Sequence, residues 1–351
     1  MNSWRDNVRK VEPYTPGEQP KEEGVIKLNT NENPYSPSDK IKEAMSGIKN
    51  LRKYPDPAAT KLVEAIASYH GFDKEEVFVG VGSDDVLAVA FMTFFNGKKP
   101  IFFPDITYSF YPVWAELFGI PYEKKAVNDA FEIQKEDYYV ENGGVVFPNP
   151  NAPTGAFLSL EVVEDIIQHN QDVVVIVDEA YIDFGGDTAK ELTRKYDNVL
   201  VVQTYSKSRS LAGLRIGYAI GNKELIKAMN DVKYSYNSYT MNEPSIVLGT
   251  AVLEDEEYFQ ETRNKIIDTR EWFQIEMRKI GFSFADSKAN FIFATHESVP
   301  AKEIFEAAKK AKIYVRYFDQ PRINNYLRIT IGTREEMETL LDFLKEFTAT
   351  K

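Results

Sequence analysis

From about Val77 to about Ile220 the chain repeats one pattern, a short unbroken apolar run followed by a helical stretch. The runs include EVFVGV, PIFF, GGVVFP, DVVVIVD, NVLVVQT and RIGYAI. A strand that is apolar on both faces must be covered on both faces, and such strands interleaved with helices build a mostly parallel sheet. The expected class is therefore α/β. Beyond Asn222 the pattern changes. Helical patterns from Ser245 run to a stop at Gly281, and the shorter strand candidates NFIFA, KIYVRYF and YLRITIG follow. They surround a helix near Ala301–Lys310 and precede a last one over Arg334–Thr348, an α+β layout. The first 24 residues are polar and rich in Pro and Gly, and read as an extended arm. The expected division is an arm over 1–24, a large domain over 25–250 and a small C-terminal domain over 251–351.

Bulk properties narrow the function. The 351 residues exceed one compact core, and 43% apolar content excludes wholesale disorder. A net charge of -12 with no basic tract argues against nucleic acid or an anionic membrane as partner. There is no cysteine, which removes disulfides and thiolate metal sites. His70, His169 and His296 are too dispersed to form a ligand cluster, so no metal is expected. No stretch reaches the length of a membrane span, and the expected location is the cytoplasm.

Four segments carry candidate chemistry. In GVGSDD (80–85), small residues between a strand and an apolar helix let a ligand approach the backbone. Ser83 is placed to cap a helix whose free N–H groups attract phosphate, with the side chains of Asp84 and Asp85 turned away from it. An ordinary strand-to-helix turn would look the same. A dinucleotide fingerprint fails, because Asp85 stands where its third glycine belongs. In FPNPNAPTG (147–155), prolines and a glycine fix a turn on which Asn149 or Asn151 could present an amide. In VVVIVDEAYIDF (173–184), Asp178 ends an apolar strand at the sheet edge where α/β proteins bind ligands. The alternatives are a strand-end acid or, with Glu179, a magnesium-binding pair, which no further carboxylate cluster supports. In TYSKSRSLAGLRIGYAIG (204–221), Lys207 follows a buried-looking strand, where burial beside other cations makes an amine nucleophilic. Ser206 and Arg215 can together hold a phosphate dianion, and Gly213 and Gly217 allow close packing around the lysine. A cofactor that needs an imine lysine, a carboxylate for a pyridine nitrogen, a phosphate cup and a ring clamp unites the segments. Pyridoxal 5'-phosphate has those needs.

The pattern S-K-x-x-x-L-x-G-x-R-x-G at 206–217, with D-E-A-Y at 178–181 and N-P-N-A-P-T-G at 149–155, resembles the fold-type I aminotransferases. LNTNENPYSPS at 28–38, RKYPDP at 52–57 and YLRITIG at 326–332 extend the likeness to the histidinol-phosphate aminotransferase family. The resemblance implies a Schiff base on Lys207, which would also shuttle a proton, with Asp178 on the pyridine nitrogen. It implies Tyr181 on the ring hydroxyl, Tyr108 stacked on the ring, and Gly82, Ser83, Asp84, Ser206 and Arg215 around the phosphate. Tyr54 would reach that phosphate from the neighbouring subunit of a homodimer. Arg328 would take the carboxylate of glutamate and the phosphate of histidinol phosphate in turn, with Tyr14 (on a lid-like arm) and Arg316 assisting. The implied reaction converts histidinol phosphate and 2-oxoglutarate into imidazole-acetol phosphate and glutamate. Transamination of aromatic amino acids, decarboxylation of threonine phosphate and a non-catalytic role are the alternatives. The sequence departs from the family at Ala152, where an asparagine usually contacts the ring hydroxyl. Either Asn151 shifts to replace it or Tyr181 makes that contact alone.

Overall fold

The computed structural model describes residues 3–49 and 51–350. Its strands are β1 (Ile26–Lys27), β2 (Val77–Gly80), β3 (Ile101–Pro104), β4 (Tyr122–Lys125), β5 (Val145–Pro148), β6 (Val175–Asp178), β7 (Val199–Thr204) and β8 (Gly217–Gly221). They continue as β9 (Phe282–Phe284), β10 (Phe291–His296), β11 (Ile313–Tyr314), β12 (Arg316–Tyr317) and β13 (Leu327–Thr330). The helices are α1 (Asp39–Ser46), α2 (Thr60–His70), α3 (Ser83–Phe94), α4 (Phe110–Phe118), α5 (Leu160–Gln168), α6 (Lys223–Tyr236), α7 (Glu243–Leu253), α8 (Glu256–Arg278), α9 (Ala301–Lys310) and α10 (Arg334–Ala349).

Seven strands form the large sheet in the order β2-β8-β7-β6-β5-β3-β4. All neighbours run parallel except β8, which is antiparallel to both β7 and β2. The apolar runs are continuous because both faces are buried. Val146, Ile176, Leu200 and Val202 pack on one face with α3 residues, while Val145, Val175, Val177, Val199 and Val201 pack on the other with Val163 and Ile166. Each such side chain contributes about 1.5–3 kcal/mol by leaving water. One consequence of the strand directions positions everything below. The C-terminal ends of β2, β3, β5, β6 and β7 and the start of β8 lie along the same edge.

Four strands, β12-β13-β10-β9, form a separate antiparallel sheet covered by α8, α9 and α10 residues. The α/β layout with a smaller α+β C-terminal unit is thus observed. The run KIYVRYF, read as one strand, is two: β11 pairs parallel with β1, and past Val315 β12 pairs with β13. The helical run from Ser245 divides at Glu254–Asp255 into α7 and α8, and Gly281 lies beyond α8 with φ +84, the left-handed region open to glycine. Three strands went unread, among them β9, a three-residue strand FSF directly after Gly281. β1 is two residues long, and β4 is the polar edge sequence YEKK. Among its described residues, from Ser3 to Gly24, the arm holds one short 3-10 turn, Trp4–Asn7, and is otherwise without regular structure.

Candidate active site

A cavity of about 610 Å³ opens at the shared strand edge, lined by residues of both sheets and of the arm. Asp178 ends β6 beneath it. Its Oδ2 accepts from the Tyr111 hydroxyl at 2.8 Å and its Oδ1 from the Ala180 N–H at 3.2 Å. Burial pushes the carboxyl up to about 6, against the lowering effect of those two bonds. Lys207 follows β7 and is half-buried. Its Nζ lies 3.4 Å from the Thr30 carbonyl oxygen and 5.6 Å from the centre of the Tyr181 ring.

The start of α3 faces the start of β8. Gly82, with φ +85, is the N-cap, so Ser83 is the first helical residue rather than the cap expected from sequence. A side chain on Gly82 would collide with the Arg215 guanidinium. Gly217 abuts the Gly82–Ser83 backbone so closely that no Cβ fits, while a Cβ on Gly213 would meet open space, so Gly213 does not share that role. Asp85 is turned away as expected, its Oδ2 accepting from the Val81 N–H at 2.9 Å. Asp84 is not. Its carboxylate lines the cavity, pairs with Arg215 Nη2 at 3.1 Å and accepts from the Tyr108 hydroxyl at 2.7 Å. A cation and a phenol within reach outweigh the repulsion that motivated the expectation. Arg215 Nη1 lies 3.5 Å from Ser206 Oγ, so guanidinium and hydroxyl converge.

Across from this edge, Arg328 of β13 is half-buried. Its Nη2 donates to the Asn29 carbonyl at 3.0 Å, and its Nε is buried without a hydrogen-bond partner. Burial and the neighbouring Arg316 lower its proton affinity. Arg316 also lines the cavity, 5.4 Å from the Phe318 ring, and Tyr14 of the arm stacks on Phe110 with centroids 4.3 Å apart.

The structure thus brings together Ser83, Asp84, Tyr108, Asp178, Tyr181, Ser206, Lys207, Arg215, Tyr14, Arg316 and Arg328 around one cavity. It leaves out three expected residues, the first of them Gly82, which stands behind the cavity wall as the N-cap of α3. Asn151 is buried inside its turn, its amide donating to the Ile106 carbonyl and Thr154 Oγ1 and accepting from Thr107 Oγ1, and it does not reach the cavity. Those contacts fix the turn and leave no group for a ligand. Tyr54 stands outside, 81% exposed, with its ring 4.7 Å from that of Tyr239. Sequence reasoning missed Tyr111 and the segment 29–33. Tyr111 was detectable in principle, since a tyrosine on the apolar face of a helix needs a buried partner for its hydroxyl.

Comparison with known proteins fits this geometry. Residues 23–344 match the model of the family described as aminotransferase class I and II. The chain belongs to the class I and II aminotransferases. Among curated relatives of this aminotransferase, a histidinol-phosphate aminotransferase of Clostridium beijerinckii is 51% identical over 97% of this chain and 96% of its own. One of Lactococcus lactis subsp. cremoris is 50% identical over 99% of each. The crystal structure of histidinol-phosphate aminotransferase from Sinorhizobium meliloti in complex with pyridoxal-5'-phosphate superposes with a TM-score of 0.84, at 21% identity, over 93% of this chain and 91% of that one. At that identity the superposition establishes the fold. Among the described residues no cluster of His, Asp or Glu could hold a metal ion, and no helix is long and apolar enough to cross a membrane.

Proposed function

We propose that this aminotransferase interconverts histidinol phosphate plus 2-oxoglutarate with imidazole-acetol phosphate plus glutamate, in histidine biosynthesis in the cytoplasm, using pyridoxal 5'-phosphate. The observation that carries the reading is Arg328, a half-buried guanidinium lining the cavity whose buried Nε lacks a partner. Such a group wants an anion, and a planar fork accepts a carboxylate or a phosphate equally well. Curated relatives at about half identity carry the same name.

The residues present fit the cofactor. Asp178 would pair with the ring nitrogen, and Tyr111 and Ala180 hold its carboxylate in place. Ser206 Oγ, Arg215 Nη1 and the N–H groups of Ser83 and Asp84 would hold the phosphate, since the first turn of α3 leaves its N–H groups without helical partners. Asp84 occupies only one of the five guanidinium donors of Arg215, so the others stay available. Tyr108 would lie against the ring face and Tyr181 would donate to the ring hydroxyl. When bound, the cofactor supplies an electron sink for the charge left on the substrate's α-carbon. Lys207 Nζ would carry the cofactor and then move the proton at that carbon. Arg328 and Arg316 would orient the substrate anion, and Tyr14, stacked on Phe110, would close over it and exclude water. Tyr54, exposed and outside its own cavity, suits a role in the neighbouring subunit of a homodimer.

The test is incubation of purified protein with histidinol phosphate and 2-oxoglutarate, following glutamate and imidazole-acetol phosphate. Turnover of aromatic amino acids alone, or carbon dioxide release from phosphothreonine, would overturn the substrate assignment.

A further inference from the structure

Asn31 lies in the segment that passes under the cavity between the two sheets. It is 1% exposed and holds a left-handed backbone, φ 57, which asparagine tolerates better than most residues. Its backbone is tied at both ends. The N–H donates to Thr330 Oγ1 at 3.0 Å, and the carbonyl accepts from Asn290 Nδ2 at 3.0 Å.

These bonds decide how its side-chain amide is turned. Thr330 Oγ1 already accepts from the Asn31 N–H, so its single proton needs an acceptor, and Asn31 Oδ1 at 3.0 Å supplies it. Both residues are buried, and among the described residues Thr330 Oγ1 has no other acceptor. The amide nitrogen is thereby directed to the Tyr181 hydroxyl oxygen, again at 3.0 Å. Tyr181 cannot evade it, because its ring is held edge-on by Phe291 at 5.0 Å.

A phenol that receives a hydrogen bond has its one proton left to give. We propose that Asn31 is a positioning residue that forces the Tyr181 hydroxyl to donate into the cavity, toward the ring oxygen of pyridoxal phosphate. The inference rests on the cofactor reading above. It also resolves the departure at Ala152. That residue presents only a methyl to the cavity, packed with Ala289 and Phe291, and Asn151 is committed elsewhere. One direct donor remains, and Asn31 fixes its direction and strengthens it, since a hydroxyl that accepts a hydrogen bond becomes a better donor.

The experiment reads the pH midpoint of the visible-absorption change of the cofactor-loaded protein. The negative ring oxygen holds the proton on the lysine-derived nitrogen beside it, and a donor that spreads that charge loosens the hold. Asn31→Gly keeps the backbone conformation and removes the donor, and should raise the midpoint by about one pH unit. Tyr181→Phe should raise it at least as much, and the double variant should match Tyr181→Phe alone. A midpoint unmoved by Asn31→Gly, or a shift that persists undiminished in the Tyr181→Phe background, overturns the inference. Should Asn31→Gly fail to fold, Asn31→Asp has the same shape but accepts where the amide donates. Its upward shift should be larger, and should shrink when Tyr181 is Phe; an equal shift in both backgrounds overturns the proposal. A wild-type protein with no visible band dependent on Lys207 overturns the cofactor reading and this inference together. A normal band with an unmoved midpoint overturns this one alone.

Discussion

Asp178 and Arg328 are charged groups at the same cavity, the first buried and the second half-buried, and they are provisioned differently. Asp178 sits at the end of a strand buried on both faces and receives two hydrogen bonds from its own chain. Arg328 sits in the thinner antiparallel sheet, gives one bond to a carbonyl, and leaves Nε unpartnered. The large sheet therefore offers a half-site whose own charge is already hydrogen-bonded, suited to a resident cofactor, and Asn31 reaches it from the other side through Tyr181. The side built from β12, β13, the arm and the 29–31 segment is complete only when an anion arrives from outside. An unpaired buried donor costs about 1–3 kcal/mol in the free protein, which an incoming anion recovers. In this comparison one half carries the chemistry and the other carries the choice of substrate.

The strongest way to break the comparison is to remove the amine. Lys207→Ala should lower kcat by about 10⁴-fold while leaving the cavity intact, because it deletes both the attachment point and the proton carrier. Activity within tenfold of wild type would refute the assignment of the half-sites. Next, Asp178→Asn should cost about 10²–10³-fold in kcat. It also has a pH signature. The free carboxyl titrates at about 6 and must be ionised to pair with the ring nitrogen, so wild-type cofactor affinity should rise with pH through 6. That rise, measured by equilibrium binding, should be lost in Asp178→Asn once the cofactor's own titration, common to both proteins, is subtracted. Arg328→Ala should reduce kcat/KM by about 100-fold with the cofactor's visible spectrum unchanged, and Arg328→Lys should recover only part of it, lacking the fork. A spectrum altered as much as in Asp178→Asn would mean the halves are not separable. The smallest effect is expected of Tyr14→Phe, about 5-fold and in KM alone, since the ring keeps its stacking on Phe110.

The two halves also differed in how far they could be read from sequence. The core strands of the large sheet stood out because Val175–Asp178 and Val199–Thr204 have no polar face to interrupt them. Its chemistry was legible for a related reason. Asp178 ends one of those strands and Lys207 lies three residues past the end of the other, so strand ends and motifs coincide. The substrate half is assembled from pieces hundreds of residues apart. Asn29, Asn31 and Asn33 look like turn residues locally, and only the pairing of this segment with β13 and β11 gives them a task. Asn151 shows the converse: an amide in a promising turn, absorbed by the turn itself. Asp84 was misjudged because repulsion from a ligand was weighed without Arg215 and Tyr108, which the fold brings to it from positions 131 and 24 residues away.

The segment of residues 26–31 has a consequence for the order of events at the ribosome. Its partner Thr330 lies 299 residues downstream of Asn31, an interval that takes about 15–60 s to translate. Every strand of the large sheet emerges before Thr330 does, so that sheet can close while the strip that will underlie the lysine still lacks its partners in β11 and β13. The polypeptide writes one wall of its active site first and fastens it last. A nascent chain arrested before β13 would hold Asp178 and Lys207 in a folded sheet and remain without the bonds that tie Asn29 to Arg328 and Asn31 to Thr330.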